Sequence, residues 1–169
     1  MSEKINSKED FINQYADKIW DKESLVNPET GRFRDEFIPI LSALYVGLDR
    51  FIKAQDDHNM YLNALEEVKA GKKKTHWMWY IFPQLFGLGK SEKSKYYGIQ
   101  DREEAKAYIN HPILRDRLVE ITEAVYNNEN SVYEIFGNDA IKVRSCMLLF
   151  ASVCDIPIFK KMIHKYSWK

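Results

Sequence analysis

The stretch Thr75-His76-Trp77-Met78-Trp79-Tyr80-Ile81-Phe82-Pro83-Gln84-Leu85 constrains this chain more than any other, because it packs four aromatic rings into six residues and has lysines on both sides. Each aromatic side chain removes roughly 150 to 250 Å² from water, worth about 4 to 6 kcal/mol as an upper bound. The stretch must therefore anchor a core, line a pocket, or do both. Trp, Tyr, Ile and Phe also suit strands, and a short apolar run is not assigned by periodicity alone. A short buried helix is the better reading. At helical spacing it spreads His76, Trp79 and Tyr80, then Trp77 and Ile81, then Met78 and Phe82 over three faces, which suits an element surrounded by others. Pro83 stops it.

The remaining punctuation is helical. Ser7 with Asp10 opens a first helix to about Lys22, and apolar residues from Phe37 to Tyr45 suggest a second. Asp49 is expected to cap a short helix bearing Phe51 and Ile52, and Met60, Tyr61, Ala64, Leu65 and Val68 form another that stops at Gly71. A turn from Ser94 to Tyr97 ends at Gly98. Asp101 pairs with Glu104, His111-Pro112 opens a helix striped by Leu114, Leu118, Ile121 and Val125, and Ser131 with Glu134 makes a capping box. Asp139 is expected to cap the central core helix, Ala140 to Cys154, and Asp155 with Pro157 opens the last. No strand alternation occurs. The reading is an all-α chain, a single compact domain of about eight or nine helices with short loops, divided into an N-terminal helical extension, 1–46, and a helical domain, 47–169.

Composition removes several classes of function. With 25 basic and 25 acidic residues in 169, no global field draws the molecule to nucleic acid or to an anionic membrane. Nucleic acid is not a favoured partner, and any anion site must be local. The longest uncharged runs fall short of the ~20 residues that span a bilayer. Cys146 and Cys154, eight apart on one expected helix, lie about 12 Å apart along its axis and cannot bridge. Buried thiols and the polar start Met1-Ser2-Glu3-Lys4, which lacks the apolar segment of a signal peptide, place the chain in the cytoplasm. The histidines and cysteines show no metal-ligand spacing, and no cofactor is expected.

Several stretches together resemble a known bacterial and fungal family, the domain of unknown function 1810, whose members often carry the mistaken label calpastatin. The resemblance rests on Leu48-Asp49-Arg50-Phe51 with Ala54-Gln55, on Gly71 to Leu85 with Gly87-Leu88-Gly89, on Tyr97-Gly98-Ile99, His111-Pro112 and Ile135-Phe136-Gly137, and on Lys142 to Met147 with Phe150. It covers about residues 48–166. It implies a mainly helical fold and brings neither an activity nor catalytic residues.

Several side chains are candidates for chemistry. Gly87-Leu88-Gly89-Lys90-Ser91 has the ending of a phosphate-binding loop, but Gln84 stands where that pattern needs its first glycine. Lys72, Lys73, Lys74, Lys90, Lys93 and Lys95 against Glu92 make the surroundings of the aromatic stretch basic, either as a solvated rim or as a site where a base stacks while phosphates meet amines. His76 is a candidate acid, base or phosphate donor, or else a satisfied core histidine. Arg144 sits in the most apolar helix and needs an anion, either Asp49 or Glu134 within the fold, or a ligand phosphate or carboxylate. Gln84 and Gln55 can add amide contacts. Two functions follow. The favoured one is a pocket around His76 to Gln84 and Arg144 that binds or turns over a small anionic, nucleotide-like compound, with Trp77, Trp79, Gln84, Arg144, Lys73 and Lys93 as ligand-binding residues and His76 as the catalytic candidate. The alternative is a non-enzymatic helical module that holds protein or nucleic acid through a lysine-flanked aromatic surface.

Overall fold

Short polar side chains start helices where they can reach back to an unpaired N–H, and this chain uses several in that way. The structure is a computed structural model and describes residues 46–169. The expected helices before Val46, and the extension 1–46 as a unit, lie outside the described residues. Among the described residues there are seven α-helices of six residues or more and two shorter ones, with no strand. In order they are α1 (Asp49–Asp56), α2 (Met60–Lys69), α3 (Met78–Ile81), α4 (Glu92–Tyr97), α5 (Arg102–Asn110), α6 (Pro112–Tyr126), α7 (Val132–Phe136), α8 (Ala140–Ala151) and α9 (Pro157–Lys165). The all-α reading is correct.

Ser91 accepts from the Ser94 N–H at 3.1 Å, and Asp101 from the Glu104 N–H at 2.8 Å. Ser131 and Glu134 form the full capping box. Pro112 and Pro157 open α6 and α9, where a missing N–H is harmless. Three expected caps do not form. Leu48, not Asp49, holds the position before α1, and neither His111 nor Asp139 makes a side-chain capping bond. Helix α8 ends at Ala151, so Cys154 lies beyond it and not on one helix with buried Cys146.

Helix α6 packs against α2, α5 and α9, and its stripe Leu114, Leu118, Ile121 and Val125 is almost wholly buried. Helix α8 packs against α5, α7 and α9 through Val143, Cys146, Met147 and Phe150, while Ile141 on its other side faces solvent. The aromatic stretch closes the end of this bundle. Its one helical turn, α3, stops at Phe82, whose backbone (φ −119°, ψ 75°) has left the α region that a following proline disfavours. Beyond Pro83 the chain forms a single parallel bridge, with the Phe86 N–H donating to the Ile99 carbonyl and the Ile99 N–H to the Gln84 carbonyl, both at 2.8 Å.

Arg50 is mostly buried, and Arg144 is not the buried arginine expected from sequence. Its guanidinium donates to Tyr96 O at 2.8 Å, to Gly98 O at 2.9 Å, to Glu104 Oε1 at 2.8 Å and to Gly47 O, and it lies over the Phe51 ring. It fastens α1 to α5 and to the turn after α4. Gln55 is likewise structural: it donates to Tyr80 O at 2.8 Å and accepts from Arg117 at 3.1 Å, joining α1, α3 and α6.

At the junction of α5 and α6, burial keeps His111 neutral and lowers its pKa from 6.5 to about 4, against the opposing pull of Asp49. The unfolded chain therefore takes up this proton first. The stability involved is fully present above about pH 6.5 and is lost as pH falls toward about 4. We predict that denaturant unfolding across this window shows a loss approaching about 3 kcal/mol in the native chain, and a flatter profile in His111→Asn.

Candidate functional site

A single carboxylate organises the approach to the aromatic stretch. After α2, Gly71 takes φ +89°, a conformation that disfavours any side chain, and the chain folds back along the helix. There Glu67 accepts from the Lys74 N–H at 2.5 Å, the Thr75 N–H at 2.8 Å, the Thr75 hydroxyl at 2.7 Å and the Trp77 indole N–H at 3.1 Å. Burial pushes this carboxyl up, but the Thr75 hydroxyl, the Lys74 and Thr75 N–H groups and the indole together leave it below its usual value. The Lys73 N–H donates to Ile135 O at 2.8 Å, so the segment is also tied to α7.

This loop sinks Trp77 completely, edge-to-face with Phe136 at 6.0 Å. Lys73 runs over the Trp77 ring, its ammonium 5.2 Å from the centroid, with only 10% of its side chain exposed. That ammonium lies 3.2 Å from Asp139 Oδ2, while Lys142 reaches Oδ1 at 2.8 Å and stands 4.5 Å over the Trp79 ring. Burial alone would raise the Asp139 pKa, but hydrogen bonds from Lys142 and Lys73 reverse this and hold it below the usual carboxylate value. Asp139 is thus a bridge between two lysines and not a helix cap.

Between this cluster and α4 lies a cleft of about 580 Å³, within the range of small-molecule sites. Lys73, His76, Trp79 and Lys142 line one side, and Ser91 and Lys93 come from the start of α4. Two other grooves have similar volumes, about 640 Å³ beside α9 and about 600 Å³ beside α1, so size does not single this cleft out. Its chemistry does: amines pinned at fixed spacing beside an indole. Gly89 supports it, since a Cβ there would lie 2.7 Å from Ser94 Cβ and 2.9 Å from the Trp79 ring.

The structure brings together Lys73, His76, Trp77, Trp79 and Lys93 of the residues named from sequence. Trp77 only borders the floor, because none of its surface is free for stacking. His76 is exposed, and its imidazole has no hydrogen bond to a described residue. Gln84 is buried outside the cleft wall, with no partner for its side-chain N–H₂ among the described residues. Arg144, expected to be buried in the pocket, is half-buried and away from it, donating to Lys169 O at 2.5 Å rather than to Asp49 or Glu134. Sequence reasoning missed Asp139 and Lys142 as members of the site. Their i, i+3 spacing at the start of α8 was the available signal, hidden by the expectation of a cap.

Among the described residues no three His, Cys, Asp or Glu side chains gather as a metal site, and no helix is long and apolar enough to cross a membrane.

Comparison with known proteins places this geometry. Residues 45–168 match the model of a family described as "Protein of unknown function (DUF1810)". A crystal structure of the conserved hypothetical protein Rv1873 from Mycobacterium tuberculosis is similar, with 43% sequence identity, a TM-score of 0.69, and coverage of 72% of this chain and 89% of that one. No curated protein matches the chain.

Because a Cβ at Gly89 has no room, Gly89→Ala must displace Ser94 or Trp79. We predict a stability loss of about 1 to 3 kcal/mol, the usual cost of overpacking. A shift in tryptophan emission should accompany it, and an unchanged emission with unchanged stability would contradict the packing described.

Proposed function

We propose that this chain, which belongs to the DUF1810 family, binds a small anionic, nucleotide-like compound in the cleft between α4 and the Lys73, Asp139 and Lys142 cluster. The observation that carries this reading is that two ammonium groups share one carboxylate, at 3.2 and 2.8 Å. One carboxylate balances one lysine, so positive charge remains, on amines already held in place. Preorganised donors bind an anion without the entropy cost of ordering two long side chains. Lys93 adds a third, exposed amine at the start of α4, and Trp79 supplies aromatic surface beside the charges. Binding is better supported than turnover. A general acid or base needs an orienting partner, and His76 has none among the described residues. A cytoplasmic location is part of this reading, supported by the free thiols Cys146 and Cys154.

The alternative, a helical interaction module, draws support from a different surface than the tryptophans. Leu85, Phe86 and Leu88 are 40%, 46% and 61% exposed on the loop before α4, next to Lys90. Such a run is a plausible contact for another protein.

Calorimetric titration with nucleoside monophosphates and their parent nucleosides tests the cleft. We predict binding of one or more phosphorylated compounds that weakens with added salt, parent nucleosides at least about tenfold weaker, and a loss of about 1.5 to 3 kcal/mol in Lys73→Gln. Arg144→Lys should leave affinity unchanged. No binding by any phosphorylated compound would overturn the proposal.

A further inference from the structure

Resting on that reading of the cleft, we infer that its anion subsite prefers a dianion, a terminal phosphate monoester, to a phosphodiester or a carboxylate, and that Asp139 sets this preference. Three lysines, Lys73, Lys93 and Lys142, face the cleft, and Asp139 is the carboxylate committed to them. Lys73 and Lys142 against Asp139 leave one fixed positive charge. Lys93 and Glu92, both exposed on the wall, offset each other. Tyr80 also lines the cleft, and burial raises its pKa, so its phenol adds no charge. His76 adds no charge when neutral.

This positive excess discriminates between ligands of different valence. In a field of fixed sign, attraction grows in proportion to the ligand's charge, so a dianion gains about twice what a monoanion gains. A phosphate monoester carries nearly two negative charges at neutral pH and three acceptor oxygens, enough to meet Lys73 and Lys142 together. A diester or a carboxylate has one charge and gains about half as much. Partial burial strengthens the effect, because Lys73, Lys142 and Asp139 keep 10%, 29% and 26% of their side chains exposed and are screened less than surface charges. Asp139 is then a tuning residue. Its carboxylate makes no helix cap, and its acceptors serve the two lysines, so it fixes their spacing and lowers the local charge by one.

The test compares adenosine 5′-monophosphate with adenosine 3′,5′-cyclic monophosphate, which keep the base and sugar and differ in phosphate charge. Their affinities are measured by calorimetry at neutral pH on the native chain, Lys142→Gln and Asp139→Asn. On the native chain the monoester should bind at least about tenfold more tightly than the cyclic diester. Lys142→Gln lowers the local charge and should shrink that ratio, and Asp139→Asn raises the charge and should enlarge it. The native chain alone is decisive even where a variant folds poorly. A ratio near one, or a ratio moved in the same direction by both variants, overturns the charge assignment while leaving the cleft as a binding site. Where neither adenosine compound binds, the same pair is compared for the base that binds in the nucleoside monophosphate titration, and failure of every base overturns the assignment together with the nucleotide reading on which it rests.

Discussion

The Glu67 carboxylate is the interaction on which the candidate site depends. Four donors from the segment after α2 converge on it: two backbone N–H groups, a hydroxyl and an indole N–H. A carboxylate satisfied in this way holds a loop that has no regular structure of its own, and charge-assisted bonds are the stronger kind. Everything downstream inherits this placement. Trp77 is fixed at the floor, α3 starts from it, and Lys73 is laid across the indole toward Asp139. Lys142 completes the cluster from α8, so the site joins the loop after α2 to the start of a core helix more than sixty residues further along the chain.

Much of the fold was legible because its signals are local. The box at Ser131 and Glu134, the cap at Asp101, the prolines at 112 and 157 and the stripe on α6 each need only three to twelve residues of context, and each reappears in the structure. The failures share one cause. Asp139 has cap chemistry and the right position, yet two lysines from different elements compete for its oxygens and win. Arg144 sits in an apolar helix, but that helix exposes one side, whereas Arg50, in an unremarkable short helix, is the arginine enclosed by backbone carbonyls and Glu104. Partner choice across the fold is a long-range property, and spacing along the chain does not encode it.

The aromatic stretch shows the same division. Its need for burial was readable from side-chain area alone, and Trp77, Phe82 and Ile81 are indeed enclosed. Which tryptophan faces the cleft was not readable, because that depends on where the indole N–H finds an acceptor. Glu67 captures Trp77, and Trp79, the second residue of α3, is left at the cleft with Lys142 across its ring. The 43%-identical relative from Mycobacterium tuberculosis supports the helical fold and carries no functional assignment in its description, so the chemistry of the cleft rests on the charges and rings described above.

The most direct measurement of this account is amide hydrogen exchange at Lys74 and Thr75 in the native chain and in Glu67→Gln, which keeps the shape of the side chain and removes its charge. If the carboxylate organises the loop, both amides are protected in the native chain and lose most of that protection in the variant, while amides in the core of α6 keep theirs. Equal protection of Lys74 and Thr75 in the two proteins would contradict the claim that Glu67 holds the site together.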